Sequence, residues 1–259
     1  MKNQLYSLIL IVATLSVGSC KEESQTPKQN ETKIEKGITL TIIPTWEGVK
    51  METGKMQYSK PDGEILQLRT WGMILSKLAL VKNDNSIEML GDGYQWIDVS
   101  SGRLTFNYPD VSIGNYKGIQ FQLGPDPAVN HGDPTVWPAS HPLNGNLTGL
   151  HWGWSGGYVF QAFDGEFKDN ASATAIKGFS FHTAGNVFNQ LFFMPFTFEL
   201  TGTHKTAILE FKADEYFKNP TELHLKDKAV SHSTGSEEIT LMSKLLGNAA
   251  DAFSVDSVK

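Results

Sequence analysis

The sequence predicts an all-β fold, an antiparallel β-sandwich with a long functional loop and a C-terminal helix. Three observations predict it. Short runs rich in β-branched and aromatic residues recur along the chain with turn signals between them, the pattern of sandwiches and barrels rather than of βαβ units. One stretch, Gly124–Asn146, is so dense in Gly, Pro, Asn and Asp that it excludes regular structure. Near the end, Ile239, Met242, Leu245, Leu246, Ala249 and Phe253 recur at helical spacing.

The chain starts with an address. Met1–Cys20 has a short n-region with Lys2, an apolar run from Leu5 to Val17, and then Gly18-Ser19-Cys20. The run is short for a bilayer span and lacks a basic stop-transfer flank. Val17-Gly18-Ser19-Cys20 resembles a bacterial lipobox, whose cysteine becomes the lipidated first residue of the mature protein. Cys20 is the single cysteine, so disulfides and thiolate metal sites are excluded. Lys21-Glu22-Glu23 resembles the short signal that sends some lipoproteins to the outer face of the outer membrane. Residues 1–20 are thus expected to be a lipoprotein signal peptide.

Lys21–Lys36 holds no aromatic residue and one strongly apolar one, Ile34. Such a segment cannot bury enough surface to fold, so it is expected to be a flexible tether. Residues 37–259 are left for the folded domain.

Within that domain Ile38–Ile43 alternates and is β-branched. Ile65–Leu68, Ile74–Val81, Tyr94–Val99 and Arg103–Tyr108 follow, separated by turn signals such as Pro61-Asp62-Gly63 and Gly91-Asp92-Gly93. Lys117–Leu123 places Ile119, Phe121 and Leu123 on one face. Gly178–His182, Gln190–Leu200 and Thr206–Lys212 complete the series. Ser236–Phe253 is the predicted helix, with Ser236 as cap and Glu237 and Glu238 matching the positive helix end.

Composition narrows the function. The formal net charge is −6 and the pI ≈ 5.6. No basic cluster interleaves with aromatics, which excludes nucleic acid as a partner. No glycine-rich phosphate loop or nucleophile elbow is present. A metallohydrolase is set aside, because no evident general-base carboxylate accompanies the histidines in the sequence.

Gly124–Phe167 holds His131, His141 and His151, three of the seven histidines, and Trp137, Trp152 and Trp154, half of the six tryptophans. A long loop in a compact domain is functional or disordered, and this composition argues against disorder. Read as a strand, His151–Phe163 puts Trp152, Trp154, Tyr158 and Phe160 in the core, with His151 on the opposite face. By the same alternation His182 points away from Phe179 and Phe181. The loop carrying His131 and Trp137 is the segment available to cover that face. Imidazoles without thiolates point to copper or zinc outside the cytoplasm. Asp126 and Asp133 sit beside prolines, as turn-forming residues do. His141 is a fourth candidate, whereas His204, His224 and His232 have neither neighbours nor spacing to recommend them.

Leu123–Asp133 (LGPDPAVNHGD), Pro142-Leu143-Asn144 and His151–Phe160 (HWGWSGGYVF) together resemble the MbnP family, the methanobactin-operon proteins and their copper-repressible, surface-associated relatives. The order of the remaining pieces, through Phe181-His182 to Asp251–Val255, is similar as well. The resemblance implies an antiparallel β-sandwich that binds copper outside the cytoplasm. It implies a tryptophan oxidised to kynurenine by a di-haem partner resembling cytochrome c peroxidases. Carried over, the loop histidine is His131, the histidine ending the Phe-rich strand is His182, and the oxidisable tryptophan is Trp137. His151 stands where the family motif often lacks a histidine, so it is either an added ligand or a neighbour.

Two readings follow. One is a copper-binding outer membrane lipoprotein, anchored through Cys20 and displayed at the surface, that is not itself an enzyme. The other is a sandwich module binding a glycan or peptide, with Trp137 and Trp152 as stacking platforms and the histidines as polar lining.

Overall fold

The structure, a computed structural model, describes residues 36–153 and 156–259. Cys20, nearly all of the expected tether, and Trp154 lie outside them. Strand β1 (Ile38–Trp46) is followed by the short β2 (Val49–Lys50) and β3 (Tyr58–Ser59). The eighteen-residue β4 (Ile65–Lys82) precedes β5 (Ile87–Met89), β6 (Gln95–Asp98), β7 (Thr105–Tyr108) and β8 (Gly114–Leu123). The loop carries single turns of helix, α1 (Pro127–Asn130) and α2 (Gly145–Thr148). Then come β9 (Val159–Lys168), β10 (Lys177–Ala184), β11 (Leu191–Leu200) and β12 (Lys205–Lys212). The chain closes with α3 (Glu215–Lys218), β13 (Val230–Ser231), α4 (Ser236–Ala249) and β14 (Phe253–Val258).

These strands form a β-sandwich of two sheets. The smaller runs β14-β12-β1-β2, with β7 also on β1; the larger runs β11-β8-β4-β9-β10-β13. The long β4 organises the larger sheet. Along one side it pairs with β9 over Ile65–Met73 and with β8 over Leu75–Lys82; along the other it takes β3, β6 and β5 in turn. A bulge between Ser76 and Ala79 interrupts the pairing with β8, and Lys77 there has φ 51°.

The core lies between the sheets. Trp71 of β4 stacks on Phe211 of β12 with ring centroids 3.7 Å apart, both rings fully buried. Phe253 of β14 meets Phe121 of β8 edge-on at 5.1 Å. Each such side chain contributes about 1.5–3 kcal/mol through burial, and aromatic pairs like these are the main link between the layers. Helix α4 adds Met242, Leu245, Leu246 and Ala249, all buried.

Four expectations need correction. The sheets are mixed, because β1 runs parallel to β12 and β10 parallel to β13. Ile65–Leu68 and Ile74–Val81 are one strand. The last helix ends at Ala249, and Phe253 begins a final strand. Ser236 is the first helical residue rather than the cap; the preceding turn is held by Glu238, whose carboxylate accepts from the Thr234 N–H and hydroxyl at 3.0 and 2.9 Å.

Candidate metal centre

Three local features build the site face. The first is a short hairpin where the sequence reads as a strand. His151 bridges Tyr158, the Trp152 N–H donates to the Gly157 carbonyl at 2.9 Å, and the Gly157 N–H returns to Gly153. Gly153 and Gly157 have φ 84° and 69°, a region costly for any side chain. The turn therefore ends the alternation before Val159. Tyr158 and Phe160 are fully buried as expected, but Trp152 is not core: it is 39 % exposed.

The second feature is Asn130, fully buried beneath the loop. Its Oδ1 accepts from the Tyr158 N–H at 2.9 Å and its Nδ2 donates to Asn186 at 2.8 Å. This ties α1 to the hairpin and fixes where His131 emerges. A Cβ on Gly157 would lie 2.7 Å from Asn130 Oδ1 and 3.1 Å from His131 Nδ1, so only glycine permits this approach.

The third is the edge of the larger sheet. His182 on β10 lies opposite Ala162, and Asp164 opposite Ser180. His182 Nε2 donates to the Asp164 carboxylate at 2.9 and 3.2 Å, with Ser180 Oγ at 3.3 Å.

Accounting for imidazole nitrogens then sorts the candidates, since a metal needs a lone pair. His182 commits Nε2–H to a carboxylate and keeps Nδ1, the arrangement in which a carboxylate orients a ligating histidine. His131 is exposed and makes no hydrogen bond among the described residues. His151 differs. Its Nδ1 accepts from the Gly153 N–H at 3.1 Å, which places the proton on Nε2, and that buried atom has the Gly132 backbone near it but outside full hydrogen-bond geometry. As placed, neither nitrogen offers a lone pair. Burial lowers the His151 pKa, helped by nearby His131 and opposed by the Gly132 backbone and Asp133. His141 is also committed: Nε2 meets Asp92 at 2.8 Å and Nδ1 accepts from Leu143 at 3.1 Å.

Trp137 packs against Tyr94 and His141. It is half-buried, stacks on His141 at 4.3 Å, and its carbonyl accepts from Asn144 at 2.8 Å. Among the described residues the tryptophan beside the candidate ligand His182 is Trp152, 5.9 Å away between ring centroids. Asp133 caps the turn at Pro134–Val136, accepting from the Thr135 N–H at 2.8 Å, and Asp126 pairs with Lys77 at 2.9 Å. Both aspartates thus serve the loop's shape, as their prolines foretold.

Two histidines set aside on sequence have partners. His232 lies 5.2 Å from His182 between ring centroids and 6.0 Å from Trp152. His224 donates to Asp62 at 2.6 Å, and ligand atoms of Asp62, Glu222 and His224 lie within 4.8 Å of one another. Asp62 and His224 of that second cluster belong to an ionic network. Buried Lys60 reaches Asp62 at 3.3 Å and Glu64 at 2.5 Å, and Glu64 accepts from the Leu225 and Lys226 N–H groups. Burial pushes the Asp62 pKa up, but His224, the Glu64 backbone and Lys60 outweigh it and hold the carboxyl below its usual range. Neither histidine had a sequence signal beyond a neighbouring strand-like residue.

Comparison with known proteins agrees with the architecture. A family model, MbnP, matches residues 35–234. The solved structure of MbnP from Methylosinus trichosporium aligns with a TM-score of 0.52 at 14% identity, covering 85% of this chain and 96% of that one. No curated protein matches in sequence. A family match over residues 35–234, joined to the same overall fold in a solved member, goes beyond the motifs: the chain belongs to the MbnP family.

Proposed function

We propose that this protein is an extracytoplasmic copper-binding lipoprotein in which histidines hold copper as cargo, and that it is not itself an enzyme. The observation that carries this reading is the imidazole of His182, oriented by Asp164 with Nδ1 left over, in a chain of the MbnP family. His131, uncommitted and held on Asn130 beside the hairpin, is the second ligand that the family resemblance implies. His151 supports the loop through its bond from Gly153 rather than offering a lone pair. Copper leads the divalent first-row metals for nitrogen ligands by the Irving–Williams order.

The resemblance further supports a di-haem, cytochrome c peroxidase-like partner that oxidises one tryptophan to kynurenine. The loop tryptophan that the resemblance implies is Trp137, whereas Trp152, exposed beside His182, is the better-placed indole of the two. Peptide mass spectrometry of native-source protein decides: +4 Da, the net loss of carbon and gain of oxygen, on Trp152 supports this placement, on Trp137 the earlier one.

One preparation tests the rest. Membranes are washed with high salt and carbonate, and the protein is released in detergent, without an affinity tag, and titrated against a chromogenic Cu(I) chelator. Wild type is expected in the membrane fraction and Cys20→Ala outside it, because several acyl chains anchor stably. His131→Ala/His182→Ala is expected to weaken copper binding by roughly tenfold or more, since each ligand carries part of the site's binding free energy. Equal affinity in wild type and double variant would reject the histidine site and favour the glycan- or peptide-binding module.

A further inference from the structure

We infer that Asp62, Glu222 and His224 form a separate metal site, for a divalent first-row ion such as zinc, that clamps the turn between β3 and β4 to the segment joining α3 to β13. The site shares no residue with the copper reading above.

Its donors come from two parts of the chain far apart in sequence. Asp62 sits in a tight turn in which Gly63 takes φ 87° and its N–H returns to the Lys60 carbonyl at 3.0 Å. The Glu64 N–H donates to Asp62 Oδ1 at 3.2 Å. The other oxygen, Oδ2, reaches across to His224 Nδ1 at 2.6 Å. Glu222, two residues before His224, is exposed, and its carboxylate makes no hydrogen bond or ion pair among the described residues. Ligand atoms of the three lie within 4.8 Å of one another.

The backbone carrying two of these donors is fixed without an ion. Fully buried Asn248 of α4 accepts from the Thr221 N–H at 2.9 Å and donates to the Thr221 carbonyl at 2.6 Å. The Leu223 N–H donates to the Phe217 carbonyl at 2.8 Å, and the Leu223 carbonyl accepts from buried Lys60 at 2.6 Å. Beyond His224, the Leu225 and Lys226 N–H groups are held by Glu64. Glu222 and His224 are thus pinned on both sides, which reduces the ordering cost of binding.

Side-chain movement completes the geometry. Two ligand atoms on a tetrahedral zinc stand roughly 3.4 Å apart at ordinary bond lengths. The His224–Asp62 pair therefore opens by roughly 0.8 Å, and Glu222 closes by at most roughly 1.4 Å. The His224 side chain is 34 % exposed and Glu222 lies at the surface, so both have room to move. The metal stands in place of the His224–Asp62 hydrogen bond, and the ring keeps its proton on the nitrogen turned away from the ion. Charge favours this exchange. Lys60, 3.3 Å from Asp62, is itself paired with Glu64 at 2.5 Å, and half-exposed Lys226, 3.9 Å from Asp62, can swing into water. One imidazole with two carboxylates, and water in the fourth position, suits zinc; calcium takes six or more oxygens.

The test uses the mature chain carrying His131→Ala and His182→Ala, without an affinity tag, and Zn(II) as the probe. Calorimetry should find one ion per chain, and the melting temperature should rise by roughly 5 °C at a hundredfold excess over Kd. Glu222→Gln and His224→Gln, each added to that chain, should weaken zinc binding by roughly tenfold or more and remove most of the rise. Far-UV circular dichroism checks folding, and Glu222→Gln leaves the Lys60–Glu64 pair untouched. Zinc held equally well by both folded variants, or not at all by the starting chain, would overturn the inference. Titration of Glu222→Gln in the otherwise wild-type chain against a Cu(I) chelator should give unchanged copper affinity. Copper lost there would make the two sites one and overturn the inference as well.

Discussion

Two histidine neighbourhoods lie on this molecule, and they are built in different ways. Around the loop, His151 is drawn into the structure: one nitrogen accepts a backbone hydrogen bond, the other is buried, and its pKa is lowered by burial. On the sheet edge, His182 is oriented by a carboxylate and His232 stands beside it, each keeping ring nitrogen for a ligand. The loop is rich in histidine and tryptophan, which drew the sequence reading to it. Among the described residues His182 on the edge and His131 in the loop keep a lone pair uncommitted, whereas His141 and His151 do not. Density of chemistry-bearing residues and availability of their atoms are separate properties.

The largest expected effect tests the loop's rigidity. Gly157→Ala would force a side chain into φ 69° and against Asn130 Oδ1 at 2.7 Å. A loss of about 2–3 kcal/mol in urea unfolding is expected, from backbone strain and displacement of the loop. A change below half of that would mean Asn130 does not hold the loop as described.

Next is the sheet edge. Asp164→Asn keeps the shape but removes the carboxylate charge that polarises His182. Copper affinity should fall by roughly tenfold, as for other residues that orient ligating histidines, with stability nearly unchanged because both side chains are partly exposed. Unchanged affinity would show that His182 does not ligate through Nδ1.

The smallest effect separates the two neighbourhoods by pH. The His151 pKa is lowered in the folded protein from 6.5, so the unfolded chain takes the proton first. Stability should be unaffected by this residue above pH 6.5, fall as pH drops below it, and level off once the folded-state pKa is passed. His151→Gln should flatten that slope in thermal melts between pH 7 and 5. Metal affinity also falls with falling pH, because a ligating imidazole must be neutral. The variant should leave that second dependence in place; losing both together would make His151 a ligand after all.

Much of the sandwich was legible because alternation reports burial locally. β1, β8, β10, β11 and β12 were each found within a few residues. Pairing between distant segments left no local trace, so neither parallel register was foreseen. β13 spans only Val230–Ser231, too short for any period, and with it the position of His232 beside His182 stayed hidden. At the hairpin the aromatic alternation of Trp152, Trp154 and Tyr158 outweighed the glycines that interrupt it. Gly153 and Gly157 carried the opposite message: positive φ turns the chain and leaves Trp152 at the surface. Loop residues were read more securely where mechanism, not pattern, was used, as for the turn-forming Asp133.

The most direct measurement is copper anomalous scattering from crystals of the mature domain soaked in Cu(II), with data on both sides of the absorption edge. The account predicts a peak within bonding distance of His182 Nδ1, close to Trp152. A peak held without His182 would contradict it.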